Sequence, residues 1–433
     1  MSGSQFINIV DVIRHSFRHL NPYLIDHGER VAYILMKMLQ DTTFYSKQEK
    51  QDIFMLGLLH DIGAYKKEEI DSMLSLDMDD SVEHSIFGYL LFRTFSPLAD
   101  YADVILYHHH CNAQYYPAPI NNYHRDIAKL IYLADRIDIF CTLNNTSELG
   151  TFFEHYSDSI FSPFLIRWFH ETNGRFRLLE QTRSGEYQEE LASYIRNNFF
   201  LSEEQSHDYL MTFIFSVDFR NEFTALHTSY ALHISKNIAD ALHLPPTICK
   251  TIQLAVLLHN IGKISIPSLL TSSDDYDRYM QDLYRGSTLD ITREILSGAV
   301  DSKILHTIED SFALLECWSN NRPVHEVPSP ATEIVALSYL ISNRLTADLN
   351  VSLRHYPKLL AHLRKKYQEC QMDDTILVAL EKNFDEITKK TQDSCTQVLH
   401  TYQHMMDEHS YLNTLILHYN HYNSKYHPST SIR

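Results

Sequence analysis

The chain has 433 residues, 44% of them hydrophobic, which is enough for two or three domains that each bury a core. It carries 37 Lys and Arg against 55 Asp and Glu, and its net charge of −18 disfavours general binding to double-stranded nucleic acid or to anionic membranes. With only 11 Gly and 13 Pro, the composition favours long helices over a turn-rich β fold. We therefore predict an all-α protein.

Cysteine usage and hydropathy bear on the compartment. No CxxC pair occurs, and the cysteines are scattered, which is typical of buried thiols in a reducing compartment. They are Cys111, Cys141, Cys249, Cys317, Cys370 and Cys395. The amino terminus shows no basic-then-apolar signal, and no apolar run is long enough to span a bilayer. These features predict a cytoplasmic protein without a membrane partner.

The first residue with possible chemistry is His27. It stands at the start of a segment whose apolar residues recur with helical period between Val31 and Leu39. A histidine that points inward from the first turn of a core helix is either a ligand or a hydrogen-bonded core residue, and the segment alone leaves both readings open.

The next segment ends in Leu58-Leu59-His60-Asp61-Ile62-Gly63. An imidazole and a carboxylate at the end of an apolar helix place two metal-binding side chains together, and the glycine lets the chain turn away. A carboxylate can bridge two cations with its two oxygens, whereas an imidazole cannot. The alternative is a helix end with a capping His60 and a solvated Asp61.

Three later segments add further candidates. His84 lies in the first turn of a predicted helix, and His108, His109 and His110 follow a short apolar segment. Adjacent helical residues point about 100° apart, so at most two of these three can face one centre, and we take His110 as the one that does not. Asp135 lies in an apolar stripe of a helix predicted over 127 to 139, where a charge is costly unless it is paired or bound to metal.

The combined set contains five imidazoles and two carboxylates, which suits a pair of divalent transition metal ions. Iron and manganese are favoured, with nickel, cobalt or zinc as alternatives. Mg²⁺ is disfavoured because it prefers oxygen ligands, and a structural zinc site is disfavoured because such sites are usually rich in cysteine. The predicted metal ligands are His27, His60, Asp61, His84, His108, His109 and Asp135.

In order and spacing these residues resemble the HD superfamily of metal-dependent phosphohydrolases, and more closely its HD-GYP branch, over roughly residues 20 to 200. His27 matches the leading histidine, His60 to Gly63 the HDIG motif, His84 the histidine of the following helix, and Asp135 the closing aspartate. His108 and His109 match the paired histidines, and Tyr116-Pro117 matches the end of the GYP motif.

The resemblance implies a fold, a metal arrangement and an activity. One metal would be held by His27, His60, Asp61 and Asp135, and the other by Asp61, His84, His108 and His109. Asp61 would bridge the ions as the catalytic carboxylate. The implied activity is hydrolysis of cyclic di-GMP or a related cyclic dinucleotide in bacterial signalling. Some relatives take a third metal through a glutamate where this chain has Tyr23, so we expect two ions.

The chain departs from the family at the positions that usually hold phosphate. The lysine that normally follows HDIG is Ala64, and Lys66 and Lys67 lie beyond it. The GYP loop lacks its acidic residue and both glycines, and the basic turn after the closing aspartate is absent. Lys66, Lys67, Tyr116 and Arg136 are the remaining candidates for substrate contacts, although surface or ion-pair roles are open for the charged ones.

A second, altered copy of the pattern follows. His227 and His259 are 32 residues apart, close to the 33 that separate His27 from His60, and His259 begins a motif in which Asn260 replaces the aspartate. Ser342 stands where a closing aspartate is expected, and only His306 remains for the paired histidines. We predict two tandem HD-type helical bundles: a metal-competent domain at 1–205 and a degenerate one at 206–433, which carries a helical carboxy-terminal extension.

The function predicted from the sequence is metal-dependent phosphodiester hydrolysis of a nucleotide substrate, with a homodimer or a signalling protein as a possible further partner. Two alternatives stay open. In one, the chain is a catalytically reduced regulatory or scaffold protein that binds a nucleotide or a protein partner. In the other, the metals serve an oxygenase reaction, as they do in some HD relatives.

Overall fold

The computed structural model describes residues 7–19, 26–66, 82–109, 120–143, 146–157, 161–219, 222–265, 278–346 and 356–426. Within these ranges the regular elements are α-helices and short 3₁₀ helices, which confirms the all-α prediction. The only β pairing in the described residues consists of two isolated bridges, Ile7 with Val300 and Ser157 with Phe161. None of the described helices combines the length and the hydropathy needed to cross a membrane.

The chain forms two compact units. The first unit comprises Phe17–Ser216 and Met405–Arg433, and the second comprises Met1–Ser16 and Val217–His404. The predicted boundary between residues 205 and 206 concerns independently folding domains, and it stays a prediction.

The described residues of the first unit form ten helices that we number α2 to α11, together with the carboxy-terminal part of the helix Thr375–Tyr426. They are α2 (His27–Leu39), α3 (Lys47–Leu59), α4 (Val82–Phe95), α5 (Ala102–Tyr107), α6 (Asn122–Thr142), α7 (Leu149–Tyr156), α8 (Pro163–Phe176), α9 (Leu178–Ser184), α10 (Tyr187–Asn198) and α11 (Glu203–Asp218), with 3₁₀ helices at Ile62–Lys66, Ala99–Tyr101 and Thr146–Glu148. Helix α6 is the buried centre of this unit and packs against α2, α3 and α5.

Among the described residues, the second unit contains the helix before α2 and the helices after α11, of which the last ends in the first unit. These are α1 (Ile9–Phe17), α12 (Glu222–Ala241), α13 (Pro246–Leu258), α14 (Arg278–Leu296), α15 (Ser302–Asn320), α16 (Pro330–Thr346), α17 (Tyr356–Glu369) and α18 (Thr375–Tyr426), with a 3₁₀ helix at Ile261–Ser265. Helix α16 packs against α12, α13 and α15.

Helix ends follow ordinary capping chemistry where the candidate residues are placed. A capping box starts α3, because the Ser46 hydroxyl accepts from the backbone of Glu49 and the Glu49 side chain accepts from the backbone of Ser46. The Asn121 side chain accepts from the backbone N–H of His124 at the start of α6. These caps fix where α3 and α6 begin, and therefore which residues their buried stretches present to the core.

The end of α3 is held close to α4 by a glycine. A Cβ atom built on Gly63 would lie 2.0 Å from the carbonyl oxygen of His84, so only glycine permits this approach of the two backbones. The approach brings the HDIG segment directly beside the first turn of α4.

The last helix of the chain also contacts α4. Within the first unit, Arg93 forms an ion pair with Glu408, Asn413 donates to Glu83 at 3.1 Å, and the rings of Phe87 and His409 lie 4.2 Å apart. The carboxy-terminal part of α18 is therefore a packing partner of the helix that carries His84.

Candidate metal centre

All seven predicted metal ligands come together in the first unit. His27 is the first residue of α2, His60 and Asp61 follow α3, and His84 lies in the first turn of α4. His108 and His109 follow α5, and Asp135 lies within α6. Five separate helices thus contribute side chains to one buried cluster.

Asp61 is the geometric centre of the cluster. Its Oδ2 lies 3.4 Å from His27 Nε2 and 3.3 Å from His60 Nε2. Its Oδ1 lies 3.3 Å from His84 Nε2 and 3.6 Å from His108 Nε2. The two oxygens of one carboxylate therefore face two different sets of imidazoles.

Each set is compact enough to hold a cation. The ligand atoms of His27, His60 and Asp61 all lie within 4.8 Å of one another. The same limit holds for a second set that shares Asp61, consisting of Asp61, His84, His108 and His109. The cluster is therefore able to bind metal.

Asp135 adds a second carboxylate beside the first set. Its Oδ1 lies 3.4 Å from His27 Nε2, while its Oδ2 accepts from Arg136 Nε at 3.0 Å and from Arg136 Nη2 at 2.8 Å. Because the guanidinium occupies Oδ2, Oδ1 is the oxygen presented to the cluster. The buried Arg136 also offsets the cost of burying the charge of Asp135.

Backbone carbonyls orient two of the imidazoles. His60 Nδ1 donates to Gly57 O at 2.8 Å, and His108 Nδ1 donates to Ile105 O at 2.6 Å. A carbonyl can only accept, so each Nδ1 carries the proton and each Nε2 offers its lone pair to the cluster.

Three buried polar atoms at the centre of the cluster have no hydrogen-bond partner among the described residues. They are His60 Nε2, Asp61 Oδ1 and His108 Nε2. Buried polar atoms are normally paired, so three unpaired acceptors within one cluster are what a metal centre would require. The donor set, which mixes imidazole nitrogens and carboxylate oxygens, fits divalent transition ions.

The cluster holds its carboxylates ionised. Burial favours the neutral form of Asp61, but the neighbouring His60, His108 and His27 outweigh it and place the pKa of Asp61 well below its ordinary value. Burial acts in the same direction on Asp135, and there the charge of Arg136 is the main opposing effect, so the pKa of Asp135 is also lowered.

The pKa shifts of the histidines differ between the two sets of ligands. Burial disfavours the charged form of His27, but hydrogen bonds with Asp135, Asp138 and Asp61 raise its pKa well above the ordinary value. In the other set, burial lowers the pKa of His84 to about 3 and lowers that of His109 well below its ordinary value. His84 and His109 are therefore neutral imidazoles, the form in which histidine binds metal.

Two residues of this region were missed by the sequence reasoning. Asp138 Oδ2 accepts from His27 Nδ1 at 2.7 Å, and Arg30 donates to both oxygens of Asp138. Asp138 is completely buried. The signal was present in the sequence, since Asp138 stands between Ile137 and Ile139 in the same apolar helix as Asp135, where an unpaired charge would be just as costly.

The predicted substrate contacts are placed only in part. Arg136 is buried and engaged with Asp135, so its described hydrogen bonds belong to the carboxylate. Lys66 ends the 3₁₀ helix Ile62–Lys66, but its side chain lies outside what the structure describes. Lys67, Tyr116 and the unassigned His110 also lie outside the described residues.

The second unit contains a smaller histidine cluster. His227 Nε2 lies 3.1 Å from His259 Nε2, and His227 Nδ1 lies 2.9 Å from Ser342 Oγ. His259 Nδ1 donates to the carbonyl of Val256. Burial lowers the pKa of His227 well below its ordinary value and that of His259 to about 3, with Lys263 contributing to both shifts. Both rings are therefore neutral.

Comparison with known proteins agrees with the first cluster. Residues 24–139 match the family model of the HD domain, a range that contains all seven predicted metal ligands.

A curated relative is the 3'3'-cGAMP-specific phosphodiesterase 1 of Vibrio cholerae serotype O1 (strain ATCC 39315 / El Tor Inaba N16961), which is 27% identical over 259 residues. The match spans 56% of this chain and 60% of that protein. Among solved structures, the chain resembles a cyclic GMP-AMP specific phosphodiesterase of V. cholerae (V-cGAP3), with a TM-score of 0.51 and 16% sequence identity. That match covers 88% of this chain and 98% of the other, and at this identity it supports the fold alone.

Proposed function

We propose that the chain is a metal-dependent phosphodiesterase that hydrolyses a cyclic dinucleotide. The observation that carries this proposal is the position of Asp61, whose two oxygens face two sets of imidazoles and so present one carboxylate to two cation positions. The HD domain match and the name of the curated relative support the reaction class.

Two divalent transition metal ions would be held by the two sets. His27, His60, Asp61 and Asp135 would hold one ion, and Asp61, His84, His108 and His109 the other, with iron and manganese favoured over nickel, cobalt or zinc. When bound, such a pair of ions activates water near neutral pH and stabilises the charge that develops on a phosphodiester.

The chain's own side chains prepare this site. Asp61 is ionised, so no proton has to leave it before a cation binds. Arg136 holds Asp135 with one oxygen turned toward His27. The neutral His84 and His109 add donor atoms without adding charge, and burial of the cluster excludes competing water from the ligands.

We propose 3'3'-cGAMP and cyclic di-GMP as the substrates to test first. The curated relative's name specifies 3'3'-cGAMP, and the sequence motif resembles enzymes that act on cyclic di-GMP. Lys66, Lys67, Tyr116 and Arg136 remain the proposed contacts to substrate. The departures from the family at Ala64 and in the GYP loop suggest that these contacts differ from those of cyclic di-GMP enzymes.

For the chain as a whole, we propose a metal-competent HD-GYP-like domain at 1–205 followed by a degenerate copy at 206–433, acting in bacterial signalling in the cytoplasm. A homodimer or a signalling protein partner is part of the same proposal. The second copy keeps the two leading histidines but has Asn260 in place of the bridging carboxylate.

The direct test compares Asp61→Ala with Asn260→Ala. Metal content is measured by elemental analysis of protein reconstituted with Mn²⁺ or Fe²⁺, and hydrolysis of 3'3'-cGAMP and cyclic di-GMP is followed by chromatography. We expect about two ions per chain in the natural protein, loss of metal and hydrolysis in Asp61→Ala, and neither loss in Asn260→Ala.

Unchanged metal content in Asp61→Ala would overturn the metal site. Two bound ions without turnover of any cyclic dinucleotide would instead favour the regulatory alternative. Oxygen uptake by the iron-loaded protein that is absent with Mn²⁺ would favour the oxygenase.

A further inference from the structure

The pairing of His27 differs from that of the other oriented imidazoles in the cluster. His60 and His108 each donate Nδ1–H to a backbone carbonyl, whereas His27 donates to the carboxylate of Asp138 at 2.7 Å. A carboxylate accepts more strongly than a carbonyl, so it fixes the ring more firmly and makes the opposite nitrogen a better electron donor.

Asp138 is placed so that it serves His27 and no cation directly. Its Oδ2 faces His27 Nδ1, on the side of the ring away from Asp61 and Asp135, which lie 3.4 Å from His27 Nε2. Because Asp138 holds the proton on Nδ1, a cation would bind His27 through Nε2 and displace the proton that faces Asp61 and Asp135. Asp138 thus selects which atom of His27 points into the cluster.

Arg30 makes this arrangement possible. It lies one turn after His27 on α2 and donates Nε to Asp138 Oδ1 at 2.5 Å and Nη2 to Asp138 Oδ2 at 3.0 Å. The guanidinium compensates the buried charge and fixes the plane of the carboxylate through a two-point contact. Arg30 Nη2 also donates to Thr142 Oγ1 at 3.0 Å, which ties the pair to the end of α6.

The second unit lacks this pair. Counting from His227 as the counterpart of His27, and from Ser342 as the counterpart of Asp135, the positions of Arg30 and Asp138 are taken by Tyr230 and Leu345. There, Nδ1 of His227 meets the hydroxyl of Ser342. The carboxylate support is therefore present beside the cluster that holds Asp61 and absent beside the cluster that has lost it.

From these contacts we propose that Asp138 and Arg30 are positioning residues that set the affinity of the His27 metal position. The proposal rests on the proposed function, because it requires that His27 binds metal. It assigns the two residues to the first set of ligands, since Asp138 accepts from His27 and Arg30 donates to both oxygens of Asp138.

The test uses Asp138→Asn, which keeps the shape of the side chain but offers only one acceptor oxygen where Arg30 and His27 need two. The matched control is Asp103→Asn, because Asp103 also accepts from a histidine, His124 Nδ1 at 2.7 Å, but outside the cluster. Mn²⁺ and Co²⁺ are titrated into the metal-free full chain, and urea unfolding of the metal-free protein is measured in parallel.

We expect Asp138→Asn to weaken one of two metal-binding steps by about 10- to 100-fold, and to change the Co²⁺ absorption spectrum of that step, while the other step stays unchanged. Added Mn²⁺ should restore hydrolysis in Asp138→Asn and fail to restore it in Asp61→Ala. Asp103→Asn should match the natural protein in every readout.

Equal metal affinities in Asp138→Asn and the natural protein would overturn the proposal, as would equal weakening of both steps. If Asp138→Asn does not fold, Arg30→Lys decides, because it keeps the charge but loses the two-point contact and should weaken the same single step. Unchanged binding there also overturns the proposal. Failure of the natural protein to bind either metal would contradict the proposed function itself.

Discussion

The two histidine clusters share a local framework and differ in charge. His60 and His259 each follow the last residue of a helix and donate Nδ1–H to the carbonyl three residues earlier. Each is followed by a glycine, Gly63 or Gly262, that lies against the backbone of another helix. The residue directly after the histidine distinguishes the two sites, since it is Asp61 in the first cluster and Asn260 in the second.

The consequence is visible in the hydrogen bonds. In the second cluster, His259 Nδ1–H donates to Val256 O, so His259 Nε2 can accept from His227 Nε2–H. His227 Nδ1 can then accept from the Ser342 hydroxyl, for whose single proton Tyr339 O at 3.0 Å is the competing acceptor. This series of hydrogen bonds between neutral groups pairs the ring nitrogens of both histidines without a cation. Asn260 Oδ1 has no hydrogen-bond partner among the described residues. Lys263 adds positive charge nearby, which further disfavours a cation.

The paired histidines of the first cluster also have counterparts of different chemistry. His306 is exposed on α15 and lies outside the second cluster. Ser311 is buried and donates to Ile308 O at 2.7 Å, the same three-residue return that His108 makes to Ile105. Ser311 therefore matches His108 better than His306 does.

The residue after Ser311 also differs in chemistry from its counterpart in the first cluster. The ring of His109 lies 5.5 Å from that of Tyr132, and the ring of Phe312 lies 6.0 Å from that of Tyr339. A serine and a phenylalanine thus stand where the first cluster has two imidazoles. One framework therefore supports either a charged, incompletely paired cluster or a neutral, internally paired one, depending on a few polar residues.

The glycines provide the largest expected effect. A Cβ atom would lie 2.0 Å from His84 O in Gly63→Ala and 2.1 Å from Thr288 O in Gly262→Ala, so each substitution forces two backbones apart. We expect each to lower the free energy of unfolding by at least about 3 kcal/mol in urea denaturation. Only Gly63→Ala should also reduce bound metal, because it displaces the helix that carries His84.

Equal loss of metal in Gly262→Ala would show that the second cluster also supports metal binding. As a control, Gly174→Ala adds a Cβ with no atom within 4 Å, so it should lower neither the free energy of unfolding nor the bound metal.

An intermediate effect is expected at corresponding positions of the two clusters. Ser342→Ala removes the partner of His227 Nδ1, and a buried polar atom left unpaired costs about 2 kcal/mol of stability. Bound metal should not change. Asp135→Ser, which copies the second cluster into the first, should instead reduce bound metal, as measured by elemental analysis.

Normal metal content in Asp135→Ser would remove Asp135 from the ligands. Full stability of Ser342→Ala in urea denaturation would show that the hydrogen-bonded chain of the second cluster contributes nothing to folding.

The smallest expected effect is a difference in pH dependence. Burial raises the pKa of Glu333, which lies on the same helix as Ser342, to about 7. The hydrogen bond donated by Tyr367 opposes this shift, and repulsion from Asp373 adds to it. A carboxyl whose pKa is raised by folding favours the folded state below its unfolded pKa, and this contribution disappears as the pH rises through about 7. We expect the free energy of unfolding to fall by roughly 1–2 kcal/mol between pH 4.5 and 7 because of Glu333.

Asp138 in the first unit has the opposite sign. Burial would raise its pKa, but Arg30 and His27 lower it, so its contribution to stability is present at neutral pH and is lost on acidification.

Urea denaturation of Glu333→Gln at several pH values should show a flatter profile of unfolding free energy between pH 4.5 and 7 than the natural protein. An identical profile would mean that Glu333 titrates normally.

Much of the first cluster could be predicted from the sequence. Residues such as Asp135 stand out because a charge within an apolar helix demands a partner, and the helix end at His60 follows from the glycine and the apolar run before it. The all-α class followed from the low glycine and proline content and the helical period. In both cases the physical cost is local and can be read along the chain.

The contacts between distant segments could not be predicted in the same way. Asp138 could be suspected as a buried acid, but its assignment to His27 depends on how α2 and α6 cross. Spacing alone placed His306 at a position that Ser311 occupies better, because 48 residues separate His60 from His108 and 52 separate His259 from Ser311, a difference that no motif in the sequence marks.

The last helix gives the fold a practical constraint. Helix α18 runs unbroken for 52 residues, and its part from Met405 onward belongs to the unit that begins at Phe17. A fragment that stops at residue 205 would strip α4 of the partners supplied by Glu408, His409 and Asn413. A gene fusion that transfers residues 1–205 without the carboxy-terminal part of α18 would therefore remove packing contacts from the helix that carries His84.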